Sequence, residues 1–76
     1  MSGRLPSCTA AEVARALEHA GFVNVHQKGS HRYFADPISG EVLTTVPMHP
    51  GDIARSLLKK IIKDVGLTEE EFRKLL

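Results

Sequence analysis

Three consecutive residues, Gly29-Ser30-His31, stand inside the stretch QKGSHRYF at positions 27–34. Imidazole is the side chain whose charge changes between about pH 5 and 8, so a histidine can take or give a proton near neutrality. Lys28 and Arg32 flank the string, and no acid falls between Gln27 and Arg32. A local field of that kind attracts a polyanion over about a Debye length, whatever the net charge. From these residues alone, His31 is either a catalyst held at the mouth of a strand or an exposed histidine beside a turn.

A second cationic stretch runs from Arg55 to Lys63, where Arg55, Lys59 and Lys63 recur at i, i+4 and i+8 on one helix side. That side is either an ordinary solvated surface or a contact for nucleic acid or a protein partner. His19, His26, His31, His49 and Cys8 match no usual zinc spacing, so no metal site is expected. Cys8 precedes a helix start, where a thiolate can be stabilised, yet no base stands near it in sequence. Its presence reads as incidental, and a single cysteine forms no internal disulfide.

The elements that must position these groups follow from local pattern. Thr9-Ala10-Ala11-Glu12 is a capping box opening a helix with Val13, Ala16, Leu17 and Ala20 at helical spacing, and Gly21 ends it. Its polar side shows Glu12, Arg15, Glu18 and His19. Residues 22–27 alternate around Val23 and Val25, a turn near Lys28-Gly29-Ser30 leads into residues 31–35, and Pro37-Ile38-Ser39-Gly40 turns the chain into residues 41–46. Pro47 closes that third strand. From Asp52, read as a cap, Ile53, Leu57, Leu58, Ile61, Ile62 and Val65 make the broad apolar stripe of the main core helix. Thr68 to Glu71 repeats the capping box and starts a short last helix carrying Phe72, Leu75 and Leu76.

The predicted class is α+β: an α-β-β-β-α order with a three-stranded antiparallel sheet, helices on one face and a short extra C-terminal helix. That order is similar to the double-stranded-RNA-binding domain, an architectural likeness only. Residues 1–76 read as one small domain with 42% hydrophobic residues. A chain of this size buries only about 60% of its unfolded surface, so any site should be an open one. No apolar run approaches the roughly 20 residues of a membrane span, and the first residues lack a secretory apolar core, which predicts a cytoplasmic protein without membrane contact. Ten Lys and Arg against nine Asp and Glu give no global argument for a nucleic-acid partner.

With the motifs in order, "ALEHAGFVNVHQKGSHRYF", then "VPMH", then "LLKKIIKDVGLTEEEF" resembles the HicA toxins, also described as YcfA-like mRNA interferases. The resemblance spans nearly the whole chain. It implies a double-stranded-RNA-binding-like fold, endoribonuclease activity on mRNA in a type II toxin-antitoxin system, and neutralisation by a HicB antitoxin. The family's catalytic histidine falls on His31. Many members carry Gly-Thr-Leu early in the last core helix, where this chain reads Ser56-Leu57-Leu58.

RNA brings its own nucleophile, the 2′-hydroxyl, so that activity needs no metal or cofactor. It needs a group to move protons, here His31, and donors to steady the phosphorane, here Lys28, Arg32 and the backbone of Gly29 and Ser30. Well-placed donors of that kind are worth roughly 3–4 kcal/mol. Lys59 and Lys63 are the expected further RNA contacts. A second acid–base group is not assigned, His49 being the candidate: if Asp36 pairs with Glu41, His31 faces Val46, and three more residues at about 3.3 Å each leave His49 on the order of 10 Å off unless Pro47 bends the chain back. A Lys28-Gly29 turn pairs His26 with His31 and a three-residue turn pairs Gln27 with it, so the face of His31 stays open. Tyr33 is either a stacking platform or core, and Phe34 is assigned to the core. The alternative functions are a non-catalytic RNA-binding module and a protein-interaction domain. The residues fix no oligomeric state, a monomer being admissible.

Overall fold

The structure, a computed structural model, describes residues 5–76. In chain order the elements are α1 (Ala10–His19), β1 (Val23–Lys28), β2 (His31–Ala35), β3 (Val42–Pro47), α2 (Arg55–Asp64) and α3 (Glu69–Leu75). The strands form one antiparallel sheet in the order β1-β2-β3, as the α+β reading expects.

Local chemistry sets two of the helix starts. At α1 the Thr9 hydroxyl accepts from the Glu12 amide at 3.2 Å while the Glu12 carboxylate accepts from the Thr9 amide at 2.8 Å. Thr68 and Glu71 repeat the exchange at α3. Each box satisfies backbone donors that a helix start otherwise leaves unpaired. The start of α2 differs from expectation: Asp52 does not cap it, and its N-cap is Ala54, with no side-chain bond. Residues 52 and 53 are held extended instead, through a bridge between Thr9 and Asp52 and a 2.8 Å bond from the Ile53 amide to the Cys8 carbonyl. The Arg55 guanidinium donates to the Leu5 carbonyl across the same seam.

One face of the sheet carries Phe34, Thr44 and Val46, which are buried with Val13 and Leu17 of α1, Leu58, Ile61 and Ile62 of α2, and Phe72 of α3. The apolar residues among these form one cluster. Every residue of β1 is exposed, Val23 and Val25 included, so its alternation does not mark a half-buried strand. β1 is an edge strand, and Val25 is the extra residue of a bulge between Asn24 and His26.

A second bulge decides the register at the other edge. Asp36 does bond to Glu41 across the turn, its amide 2.9 Å from the carbonyl. Ala35 then faces Val42, but Phe34 faces Thr44, so Leu43 is an inserted residue and everything beyond it is displaced by one. His31 therefore faces Pro47, not Val46.

Candidate active site

The turn that presents His31 has only Gly29 and Ser30 between the strands. Lys28 pairs with His31, a tighter register than either of the two the sequence offered. Gly29 has φ +60° and no other residue of the turn has positive φ. Glycine in the first central position is what a type II′ hairpin turn requires. The backbone amides of Gly29 and Ser30 donate to no group among the described residues. They point a small patch of positive dipole at the surface where His31 begins β2.

Alternation along the strands sorts the remaining residues by face. Lys28, His31 and Pro47 make one row across the sheet on the face away from the helices. His26, Tyr33 and Thr45 make the next, with the His26 and Tyr33 rings 5.3 Å apart. Tyr33 is thus half-exposed on the open face, while Phe34 is fully buried, as assigned. Arg32 belongs to the opposite face: it lies between Gln27 and Val46, and its Nε donates to the Gln27 amide oxygen at 3.3 Å.

The connector after β3 brings in His49, which strand spacing alone sets on the order of 10 Å away. The Met48 amide bonds to the Ser30 carbonyl at 2.6 Å, which carries the β2–β3 register one pair further and holds the connector beside the turn. The ring of His49 then stands edge-on to that of His31, with centroids 6.1 Å apart and planes at 86°. The expected separation on the order of 10 Å fails because the Leu43 bulge moves His31 one residue nearer: His49 stands two residues beyond Pro47, the partner of His31, and is its diagonal neighbour across the two strands. Both imidazoles are exposed, and among the described residues neither has a hydrogen-bond partner.

His31 lies at one end of an open groove of about 390 Å³ between β3 and α2, lined also by Thr44, Thr45, Leu57, Lys60 and Asp64. The buried Thr44 hydroxyl donates to Asp64 at 3.1 Å, and Lys60 bonds the same carboxylate oxygen at 2.8 Å. The Lys60 bond, opposed by partial desolvation and aided by Thr44, holds the Asp64 carboxyl below the usual aspartate range. Asp64 was not anticipated, although its i, i+4 spacing from Lys60 is a readable signal. Lys59 and Lys63 line a different depression with Gly66 and Glu69. Of the residues expected to meet RNA, the fold therefore gathers Lys28, Gly29 and Ser30 around His31 and places Arg32, Lys59 and Lys63 elsewhere.

The other titratable candidates are accounted for structurally. Cys8 is buried, and burial, followed by the nearby Glu12 and Asp52 carboxylates, pushes its thiol up, away from the reactive thiolate. His19 Nδ1 lies 3.3 Å from the Leu75 carbonyl and ties α1 to α3. Among the described residues no three His, Cys, Asp or Glu side chains group as a metal site, and no helix is long and apolar enough to cross a membrane.

Residues 10–67 match the family described as the HicA toxin of bacterial toxin-antitoxin systems. The chain belongs to the HicA toxin family. The match runs from the first residue of α1 to just beyond α2 and includes the His31 turn, the connector with His49 and the whole β3–α2 groove. No curated protein matches the chain. Membership makes it a toxin with an antitoxin counterpart.

Proposed function

We propose that this HicA-family chain is an endoribonuclease that cleaves mRNA without a metal, with His31 as general acid/base, and that a HicB-type antitoxin neutralises it. The observation that carries the reading is the setting of His31: an exposed imidazole with both ring nitrogens free, next to two open turn amides and Lys28. Proton transfer by a positioned group contributes typically 10²–10⁴-fold. The turn amides and Lys28 supply donors for a phosphorane oxygen, and the 2′-hydroxyl supplies the nucleophile. The groove between β3 and α2 gives the flanking RNA a path, and Lys60 at its wall is a cation within reach of a phosphate. A cytoplasmic location follows from the substrate.

His31→Ala should lose RNA cleavage and growth arrest while keeping its fold and its antitoxin, because the side chain is exposed and makes no hydrogen bond among the described residues. Cleavage by wild type should persist in EDTA. Undiminished cleavage by His31→Ala would overturn the assignment. The His26–Tyr33 ring pair on the open face favours a second reading, base stacking by a non-catalytic RNA-binding module. Salt-sensitive RNA binding with no product at any protein concentration would establish that reading.

A further inference from the structure

We infer that His49 is the second acid–base group of the site, so that His31 and His49 work on one phosphodiester as a base and acid pair. The inference rests on the ribonuclease reading and adds to it a residue on a different element. Three observations support it. The rings are close without bonding to each other, at 6.1 Å between centroids and nearly perpendicular. Both are solvent-exposed and without hydrogen-bond partners among the described residues, so their nitrogens are free for substrate. The connector that carries His49 is fixed to the catalytic turn itself by the Met48–Ser30 backbone bond, which makes the distance a property of the fold.

A phosphodiester seated across the exposed edges of the two rings is served by both, each imidazole one hydrogen bond of about 2.6–3.2 Å from its own oxygen. The reaction balances without a co-reactant. One imidazole takes the 2′-hydroxyl proton as the 2′-oxygen forms its bond to phosphorus. The phosphorus–5′-oxygen bond breaks, and the other ring, as imidazolium, gives its proton to the departing 5′-oxygen. The products are a 2′,3′-cyclic phosphate and a 5′-hydroxyl, and the pair regains its starting protonation from water. Of the charged and titratable groups around the pair, Lys28 stands opposite His31 and His26 in the next row of the same face, Lys60 and Asp64 of α2 share the groove that His31 lines, and Arg32 lies on the opposite face.

The test uses a short RNA that wild type cuts, and the same RNA with sulfur replacing the 5′-bridging oxygen at the cut bond. A thiolate leaves without protonation, so sulfur replaces the acid's task and not the base's. His49→Gln should slow cleavage of the oxygen substrate about 10²–10⁴-fold and remove one limb of the bell-shaped pH dependence that a base and acid pair produces. Of His31→Ala and His49→Gln, one should recover on the sulfur substrate to within about tenfold of wild type and the other should not. Independently of turnover, uncleavable 2′-O-methyl RNA should shift the NMR ring signals of both histidines. His49→Gln cutting the oxygen substrate within about threefold of wild type overturns the inference and leaves the ribonuclease reading standing, as does a His49 signal that RNA does not move. Wild type that cuts no RNA overturns both. His49→Asn with a wild-type amide spectrum serves if His49→Gln does not fold.

Discussion

Removing Asp64 tests whether the wall of the groove is built as a coupled pair of groups. Asp64→Ala orphans the Thr44 hydroxyl, which is 6% exposed, and an unpaired buried hydroxyl costs about 1–3 kcal/mol. Lys60 adds little, since its side chain is 69% exposed and such pairs are worth about 0–1 kcal/mol. Two helix effects act against the loss: alanine is preferred over aspartate by up to about 0.7 kcal/mol, and an anion in the last turn of α2 opposes the helix dipole by about 0.3–1 kcal/mol. The single variant should thus fall only about 0–2 kcal/mol below wild type, the balance of these terms. Thr44→Val removes the hydroxyl with nothing left unpaired and should be nearly neutral. The helix effects cancel in the double-mutant cycle, leaving a Thr44–Asp64 coupling of about 1–3 kcal/mol, each kcal/mol equivalent to roughly 4–8 °C in a domain of this size. Urea denaturation of the four proteins, with one shared slope, measures it. Coupling below about 0.3 kcal/mol, within ordinary additivity, would refute the argument.

Acid should destabilise the fold through two aspartates. Asp36 is held below the usual range by the Ser39 and then the Ile38 backbone amides, and Asp64 by Lys60 and then Thr44. A carboxyl depressed in the folded state contributes stability that is fully present above its unfolded value, near 3.9, and is lost as pH falls through the folded value. The urea midpoint should therefore hold down to about pH 5 and drop below about pH 4, less steeply in Asp36→Asn; equal slopes in the two proteins would contradict this. Gly29→Ala should cost about 1–2 kcal/mol from backbone strain alone, because an added Cβ meets nothing within 4 Å while φ is +60°. A denaturation midpoint equal to wild type would show that the turn relaxes.

What could be read from the chain and what could not divide along a physical line. The capping boxes at Thr9 and Thr68, the core role of Phe34, Leu58 and Phe72, and the order of elements rest on neighbours within a few residues, and all are present in the fold. The start of α2 depends on residues 8 and 9 pairing with residues 52 and 53, and nothing local to Asp52 announces it. β1 alternates like a half-buried strand, yet burial also needs a partner layer, and an edge strand with a bulge at Val25 does not receive one. In the site, the turn and Lys28 were legible beside His31, whereas the faces of Arg32, Lys59 and Lys63 depended on register and helix placement.

The extra residue at Leu43 links the core to the site. In the unbulged register, with Ala35 opposite Val42, Phe34 would face Leu43, and the core side of β3 would present Leu43 and Thr45. The bulge puts Thr44 and Val46 there instead, where Val46 completes the core and Thr44 reaches Asp64 on α2. The same displacement sets His31 opposite Pro47, two residues before His49, and lets the Ser30–Met48 bond hold the connector beside the turn. Packing of the hydrophobic face and approach of the two imidazoles are thus consequences of one register choice. Bulges recur beside active sites because they re-aim side chains at the cost of a local interruption of the ladder. Here the interruption sits on the edge strand that borders the groove, where an unpaired residue is tolerated and the gain falls at the far end of the strand, at His31.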